Sequence, residues 1–327
     1  MSTEATQATA PRLGVLLINL GSPDAPTAEA LRRYLAEFLG DPCVVDWPRW
    51  LWAPILHGII LRTRPARSAA LYERVWTPEG APLLATSLAQ ARLLETALGP
   101  GTLVRAGMRY GSPSLGEAWD ALIAAGAERV VALPMFPQHS LATTETARRE
   151  LQRVRDERAS PQACNWIEAY PEHPAYLSAL AAGVREHAQR APPEHYVFSF
   201  HGLPARWVRR GSPYRAHCEA TARGLAAELQ LQASQWSLVF QSRFGPERWL
   251  EPYADEFVPA LAKRVRKVLV ACPGFPADCL ETTDEIGREL AEQFLAAGGE
   301  EFTLVPCLNE HPAWIQALAQ LVRENSP

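Results

Sequence analysis

A stretch of 22 residues occurs twice in this chain. VVALPMFPQHSLATTETARREL (Val130–Leu151) aligns without a gap on LVACPGFPADCLETTDEIGREL (Leu269–Leu290), a constant 139 positions apart, with 11 of the 22 residues identical. Pro134/Pro273, Phe136/Phe275, Pro137/Pro276 and Thr144/Thr283 all stay in step. Unrelated amphipathic segments rarely keep two prolines and a phenylalanine in register, so the chain reads as a duplicated unit. Each copy opens as a short apolar run and continues as an amphipathic stretch, which is a strand passing into a helix. A fainter echo sets LGSP (Leu20–Pro23) against HGLP (His201–Pro204), again directly after a strand pattern.

The same alternation runs the length of the chain. Strands are predicted at Gly14–Asn19, Leu103–Arg109, Val130–Leu133, Trp166–Ala169, Tyr196–Phe200, Ser237–Gln241, Val268–Cys272 and Phe302–Pro306. Helical patterns lie between them, as at Thr27–Phe38, Leu115–Ala125, Ala175–Arg190 and Ala216–Leu229, and Pro312–Val322 reads as a last docking helix. Short strands alternating with longer helices specify an α/β protein with parallel sheets. The expected division is a first half over 13–190, a second over 191–308 and a closing helix over 309–327 that docks on the first half. Ligands in such folds bind outside the carboxyl ends of the strands. Both echoes put their loops there, so the cleft between the halves is the expected site.

Charge and cysteine content narrow the function classes. A formal net charge of -4 over 327 residues argues against nucleic acid, which wants a basic face. Six cysteines with no CxxC make neither a disulfide framework nor a structural zinc site, and point to a reduced, cytoplasmic protein. MSTEATQATAPR has no basic segment leading into an apolar core, so it is not read as a secretory signal. The longest apolar stretch, RWLWAPILHGIIL from Arg49 to Leu61, is too short to span a bilayer and is interrupted by Pro54, His57 and Gly58.

The divergence between the copies locates chemistry. Where the first half has Leu20 the second has His201, and where the first has Ala142 the second has Glu281. A duplication that keeps apolar residues on one side and ionisable ones on the other suits a flat, largely apolar ligand attacked from one face. A lone strand-end histidine is commonly structural, but one facing the cleft can accept a proton or hold a divalent metal near pH 7. Glu281, Glu285 and Glu289 follow at i, i+4 and i+8. Such spacing usually marks a solvated face, and on an α-helix it drifts by roughly 40° per step. A π-type widening would straighten the carboxylates into one row able to pass protons out or a hydrated divalent cation in.

Trp47, Trp50, Trp52, Ile55, Leu56, Ile59 and Ile60 read either as core or as an exposed lip, since two prolines and a glycine break their pattern. In the second reading Trp50, Trp52, Ile55 and Ile59 would touch a membrane surface. Arg62, Arg64 and Arg67 follow, a cluster that is either solvated or pairs with ligand carboxylates. Cys272 and Cys279 lack a third thiolate nearby and read as buried packing residues.

SFHGLPARWVRRGSPYRAHC (Ser199–Cys218) and CPGFPADCLETTDEI (Cys272–Ile286) resemble the two catalytic segments of the ferrochelatases. LLINLGSPDAP, GMRYGSPSL, PMFPQHSLATT and FQSRFGPERWLEPY resemble other segments of that family in the same order, over nearly the whole chain. The resemblance implies a chelatase-like fold, two Rossmann-like lobes with a porphyrin cleft between them. It places the essential histidine and glutamate on His201 and Glu281, both also the implied metal ligands, and an inward acidic relay on Glu285 and Glu289. It puts the site arginine and tyrosine on Arg109 and Tyr110 and the residue of the opposite wall on Leu20. Arg64 and Arg67 are added as candidates for the porphyrin carboxylates.

Three positions depart from the family pattern. Gly211-Ser212-Pro213-Tyr214 stands for the usual GDPY, Gly80-Ala81-Pro82 for a GSP, and Cys279 where some members have histidine. Relatives with a [2Fe–2S] cluster draw cysteines from a C-terminal extension and one internal position. Here the printed sequence ends at Pro327 and that internal position is Leu141, so no cluster is expected.

The implied reaction inserts Fe²⁺ into protoporphyrin IX with loss of two pyrrole protons, the last step of haem synthesis. Rival readings are a coproporphyrin III ferrochelatase, a cobalt chelatase, or a porphyrin carrier without catalysis. Contact with the preceding enzyme of the porphyrin pathway is a further expectation.

Overall fold

The computed structural model describes residues 12–245 and 247–326. Two four-stranded parallel sheets carry the fold. The first contains β1 (Leu13–Asn19), β2 (Thr102–Met108), β3 (Arg129–Pro134) and β4 (Ala163–Trp166) in the order β2-β1-β3-β4. The second contains β5 (His195–His201), β6 (Trp236–Gln241), β7 (Lys267–Ala271) and β8 (Glu301–Leu304) in the corresponding order β6-β5-β7-β8. Near-continuous apolar runs such as VLLI in β1 fit strands covered by helices on both faces. The strand expected at Trp166–Ala169 lies earlier, at Ala163–Trp166. It is an edge strand with alternating exposure, and the buried Ile167 takes its backbone bond to Ala132 just past the end.

One core joins the halves. Val15 and Leu17 of β1 and Phe198 and Phe200 of β5 face a shared inner layer with Tyr176, Leu225 and Trp314. The last helix, Pro312–Glu324, packs on helices Pro174–Arg190 and Pro82–Leu98. Leu16 and Val197 point to separate outer layers on the far sides.

The repeat itself is adjusted by one residue. The ladders pair Leu16 with Ala132 and Val197 with Val270, all four facing outward. The gapless alignment instead matches outward Ala132 to inward Ala271. Farther on it holds again, since Ala147/Ile286 and Leu151/Leu290 are all outer-layer residues. The second copy therefore has one residue more between Val270 and Ile286, the segment that holds Glu281.

The lip is more regular than its composition implies. Backbone runs helically through Arg49–Ile55, a π-turn at Leu56–Ile60 and Leu61–Val75, despite Pro54, Gly58 and Pro65. Proline removes the donor to the carbonyl four residues back. For Pro65 that carbonyl belongs to Leu61, and Arg32 Nε fills the gap at 3.0 Å. Among the described residues no helix is long and apolar enough to cross a membrane.

Candidate active site

In a parallel sheet the ligand crevice opens where neighbouring strands send their chains in opposite directions. Those points fall between β1 and β3 and between β5 and β7. His201 is the last residue of β5, and Glu281 opens the helical segment reached from β7 through the Cys272–Leu280 loop.

Gln241 ties the two together. It ends β6 opposite His201, its Nε2 donates to the Glu281 carbonyl at 2.9 Å, and its Oε1 accepts from Ser199 Oγ at 2.7 Å. The His201 carbonyl accepts from Tyr214 hydroxyl at 2.9 Å, and its ring lies 6.4 Å from that of Phe275. Nδ1 of His201 sits 2.6 Å from the Gly202 carbonyl. A carbonyl can only accept, so Nδ1 carries a proton, and in the neutral ring Nε2 is the nitrogen with the free lone pair. Cys279 is buried beside Glu281, and burial together with that carboxylate pushes its thiol well above the usual range.

The segment Glu281–Leu290 is a π-helix. Its carboxylates nonetheless meet three environments. Glu281 is partly buried close to Tyr34 and Tyr72 of the first lobe, Glu285 is partly buried beside Ser242, and Glu289 is on the surface paired with Arg288 at 2.8 Å. Glu285 is clamped by Ser242, whose backbone N–H donates at 2.7 Å and whose hydroxyl donates at 2.5 Å. Ser242 itself sits at φ 62°, which a non-glycine residue rarely adopts. Burial raises the Glu285 carboxyl above its usual value; Ser242 and His201 oppose the rise and Glu281 adds to it. Glu285 thus senses both His201 and Glu281. A polar cavity of about 160 Å³, lined by Ser242, Arg243, Asp255, Glu285 and Glu289, opens on its far side.

The facing wall comes from the first lobe. Leu20 follows β1, partly buried against the outer layer, and its carbonyl accepts from the Tyr110 N–H at 2.8 Å. Gly21 permits this contact: at φ 104° a Cβ would lie 1.9 Å from the Tyr110 carbonyl oxygen. Arg109 and Tyr110 converge on Asp41. Arg109 Nη2 donates to it at 2.5 Å, Tyr110 hydroxyl at 3.0 Å and Thr146 hydroxyl at 2.5 Å. Tyr110 is fully buried, so in this structure it supports Asp41 and does not line the cleft. Burial opposes the charge on Asp41, yet Thr146, the Cys43 N–H and Arg109 hold its carboxyl below the usual value.

Arg64 lies over the exposed Phe244 ring, 5.8 Å from its centroid, and Arg67 is exposed. Trp50 and Ile59 are 78% and 58% exposed. Trp52 departs from the expected membrane-facing set. Its indole donates to the Leu39 carbonyl at 2.7 Å and it packs with Leu35 and Leu56; Ile55 is likewise only partly exposed. Ser212 Oγ accepts from the Tyr214 N–H at 3.4 Å, and Ala81 is buried as the residue before helix Pro82–Leu98. Sequence reasoning missed Tyr34 and Tyr72, partly buried phenols raised by desolvation and by the nearby Glu281 charge. It also missed Asp41, Gln241 and Ser242: Asp41 directly follows the helix Ala28–Gly40 and the other two stand at the end of β6, and none carries a local signal beyond that position.

The ferrochelatase family model matches residues 12–326. The ferrochelatase of Methylibium petroleiphilum is 47% identical over 317 residues, 95% of this chain and 87% of that one. That of Yersinia enterocolitica serotype O:8 is 46% identical, covering 96% of this chain and 98% of its own. Among solved structures, SirB from Bacillus subtilis with Fe³⁺ superposes with a TM-score of 0.55 at 12% identity, over 96% of both chains. DR2241 from Deinococcus radiodurans gives 0.54 at 15% identity, over 97% of this chain and 56% of that one. At such identities the likeness is one of fold.

Proposed function

The chain belongs to the ferrochelatase family, and from that premise we propose how its cleft performs the reaction. The protein is a lyase that inserts ferrous iron into a porphyrin for haem synthesis. The observation that carries the reading of the site is the Gln241 bridge, which joins the end of β5 to the start of the π-helix at one switch point.

Metallation removes two pyrrole protons and must expose nitrogen lone pairs to Fe²⁺. A planar macrocycle presents them poorly, so a cleft that holds it distorted lowers the barrier. In this reading Nε2 of His201 accepts a pyrrole proton or holds the incoming ion, and Glu281 is the partner base. Protons leave through Glu285 and Glu289 toward the polar cavity. The raised carboxyl of Glu285 suits a group that takes up and passes on a proton. Leu20 lies against the macrocycle from the other lobe. Arg109 supports that wall, steadied by Tyr110 through Asp41, while Arg64 and Arg67 meet the propionates at the mouth. The apolar lip, with Trp50 and Ile59 foremost, favours the less charged protoporphyrin IX and a peripheral contact with a membrane surface.

Iron insertion is followed by absorbance with protoporphyrin IX and coproporphyrin III in parallel. Glu281→Gln is expected to lower turnover by about 10²-fold or more while porphyrin still binds. Normal turnover in that variant would remove Glu281 from the mechanism. Faster insertion into coproporphyrin would overturn the porphyrin assignment.

A further inference from the structure

We propose that Asp46 is a positioning residue for His201, acting across the cleft from the opposite lobe; this rests on His201 serving at the reaction centre. Asp46 belongs to the first-lobe segment that leads into the lip, yet its side-chain partners all lie in the second lobe. Its carboxylate accepts from Arg206, from Trp207 Nε1 at 3.3 Å and from Arg210 Nη1 at 3.0 Å. The other arm of Arg206 pairs with Glu247. Asp46 and Arg206 are only 23% and 21% exposed, so solvent screens them less than an ordinary surface pair. Burial works against the Asp46 charge, but Arg206 carries its carboxyl below the usual value and keeps it ionised at neutral pH.

The donors sit on helix Ala205–Arg209 and the residue after it, five to nine positions beyond His201. Five residues do not hold a helix by themselves. This one is braced by the buried Trp207, by Ala205 N–H to the Arg248 carbonyl at 2.9 Å, and by Asp46. The intervening chain is stiff: Leu203 accepts from the Leu250 N–H at 2.9 Å, and Tyr214 holds the His201 carbonyl. A shift of the helix therefore reaches the imidazole. Losing the carboxylate leaves two guanidinium groups and a buried indole N–H without that acceptor. Asp46 also directly precedes Trp47 of the lip, so one carboxylate fixes both the mouth of the cleft and the base inside it.

The test is Asp46→Asn, compared with Arg206→Lys, which keeps the charge. Steady-state kinetics are combined with ¹⁵N spectra of labelled imidazoles, the His201 signal being assigned with His201→Ala. Misplacing a reacting group by an ångström can cost as much as 10²-fold, and about 10-fold in kcat with little change in KM is expected for Asp46→Asn. The His201 Nδ1–H resonance should shift or broaden, and Arg206→Lys should stay within about threefold of wild type. An unmoved His201 resonance, or a kcat loss that follows only the melting temperature, would overturn the proposal. If His201→Ala remained active, the base assignment would fail, and the resonance would still report whether Asp46 positions the ring.

Discussion

The two lobes share topology and a repeated strand-loop-helix, but they spend their polar groups differently. After β3 the first lobe makes a π-turn of five residues, Leu141–Glu145; after β7 the second extends it over ten, Glu281–Leu290. Thr146 and Glu285 occupy matching repeat positions. Thr146 closes a buried network on Asp41 and Arg109, while Glu285 is a carboxylate clamped by Ser242 and influenced by His201 and Glu281. Asp41 is driven toward its charged form and Glu285 toward its neutral form. One lobe has become a wall whose charge is fixed, and the other a site whose charge can move. Duplicated folds can thus divide scaffold and chemistry between copies without changing topology.

The sharpest way to break this contrast is to truncate the paired strand-end residues. His201→Ala should lower iron insertion by about 10³-fold, and Leu20→Ala by less than about tenfold, mainly through KM. Equal losses measured by absorbance would mean that the lobes are not divided in this way.

Asp41→Asn comes next. Breaking a buried ion pair commonly costs 3–5 kcal/mol, and about 3 kcal/mol is expected from urea unfolding at neutral pH. Because the folded carboxyl lies below its usual value, its contribution is present above that value and fades as the pH falls through the folded one. Asp41→Asn should therefore flatten the acid limb of the stability profile; an unchanged limb would show that the network is not carrying charge.

Glu285→Gln should give the smallest change, and of opposite sign. Its folded carboxyl lies above the usual value, so ionisation costs stability as the pH rises through that window. Replacing it should raise stability by about 1 kcal/mol at neutral pH while slowing turnover. A lower melting temperature at pH 7 would place Glu285 with the scaffold carboxylates.

Much of this was legible before the fold was known. Strand and helix alternation follows from local periodicity, and seven of the eight strands fall where that pattern put them. Resemblance and the divergence of the repeat both singled out His201 and Glu281, because strand ends are where these folds present side chains. The Trp52 indole was not legible, since its partner is a carbonyl 13 residues away. Nor was the strand offset by one residue, because a gapless alignment does not see which face of a pleat a side chain takes.

Sequence alone determined a duplicated α/β chain, the loops that carry its chemistry and the family to which it belongs, since these rest on local pattern and motif. Tertiary structure decided the rest: that Glu285 is partly buried and Glu289 exposed, that Tyr110 supports and does not line, and that Asp46 reaches the helix after His201. Those outcomes depend on desolvation and on partners distant in the chain, and both exist only once the lobes have closed around one core.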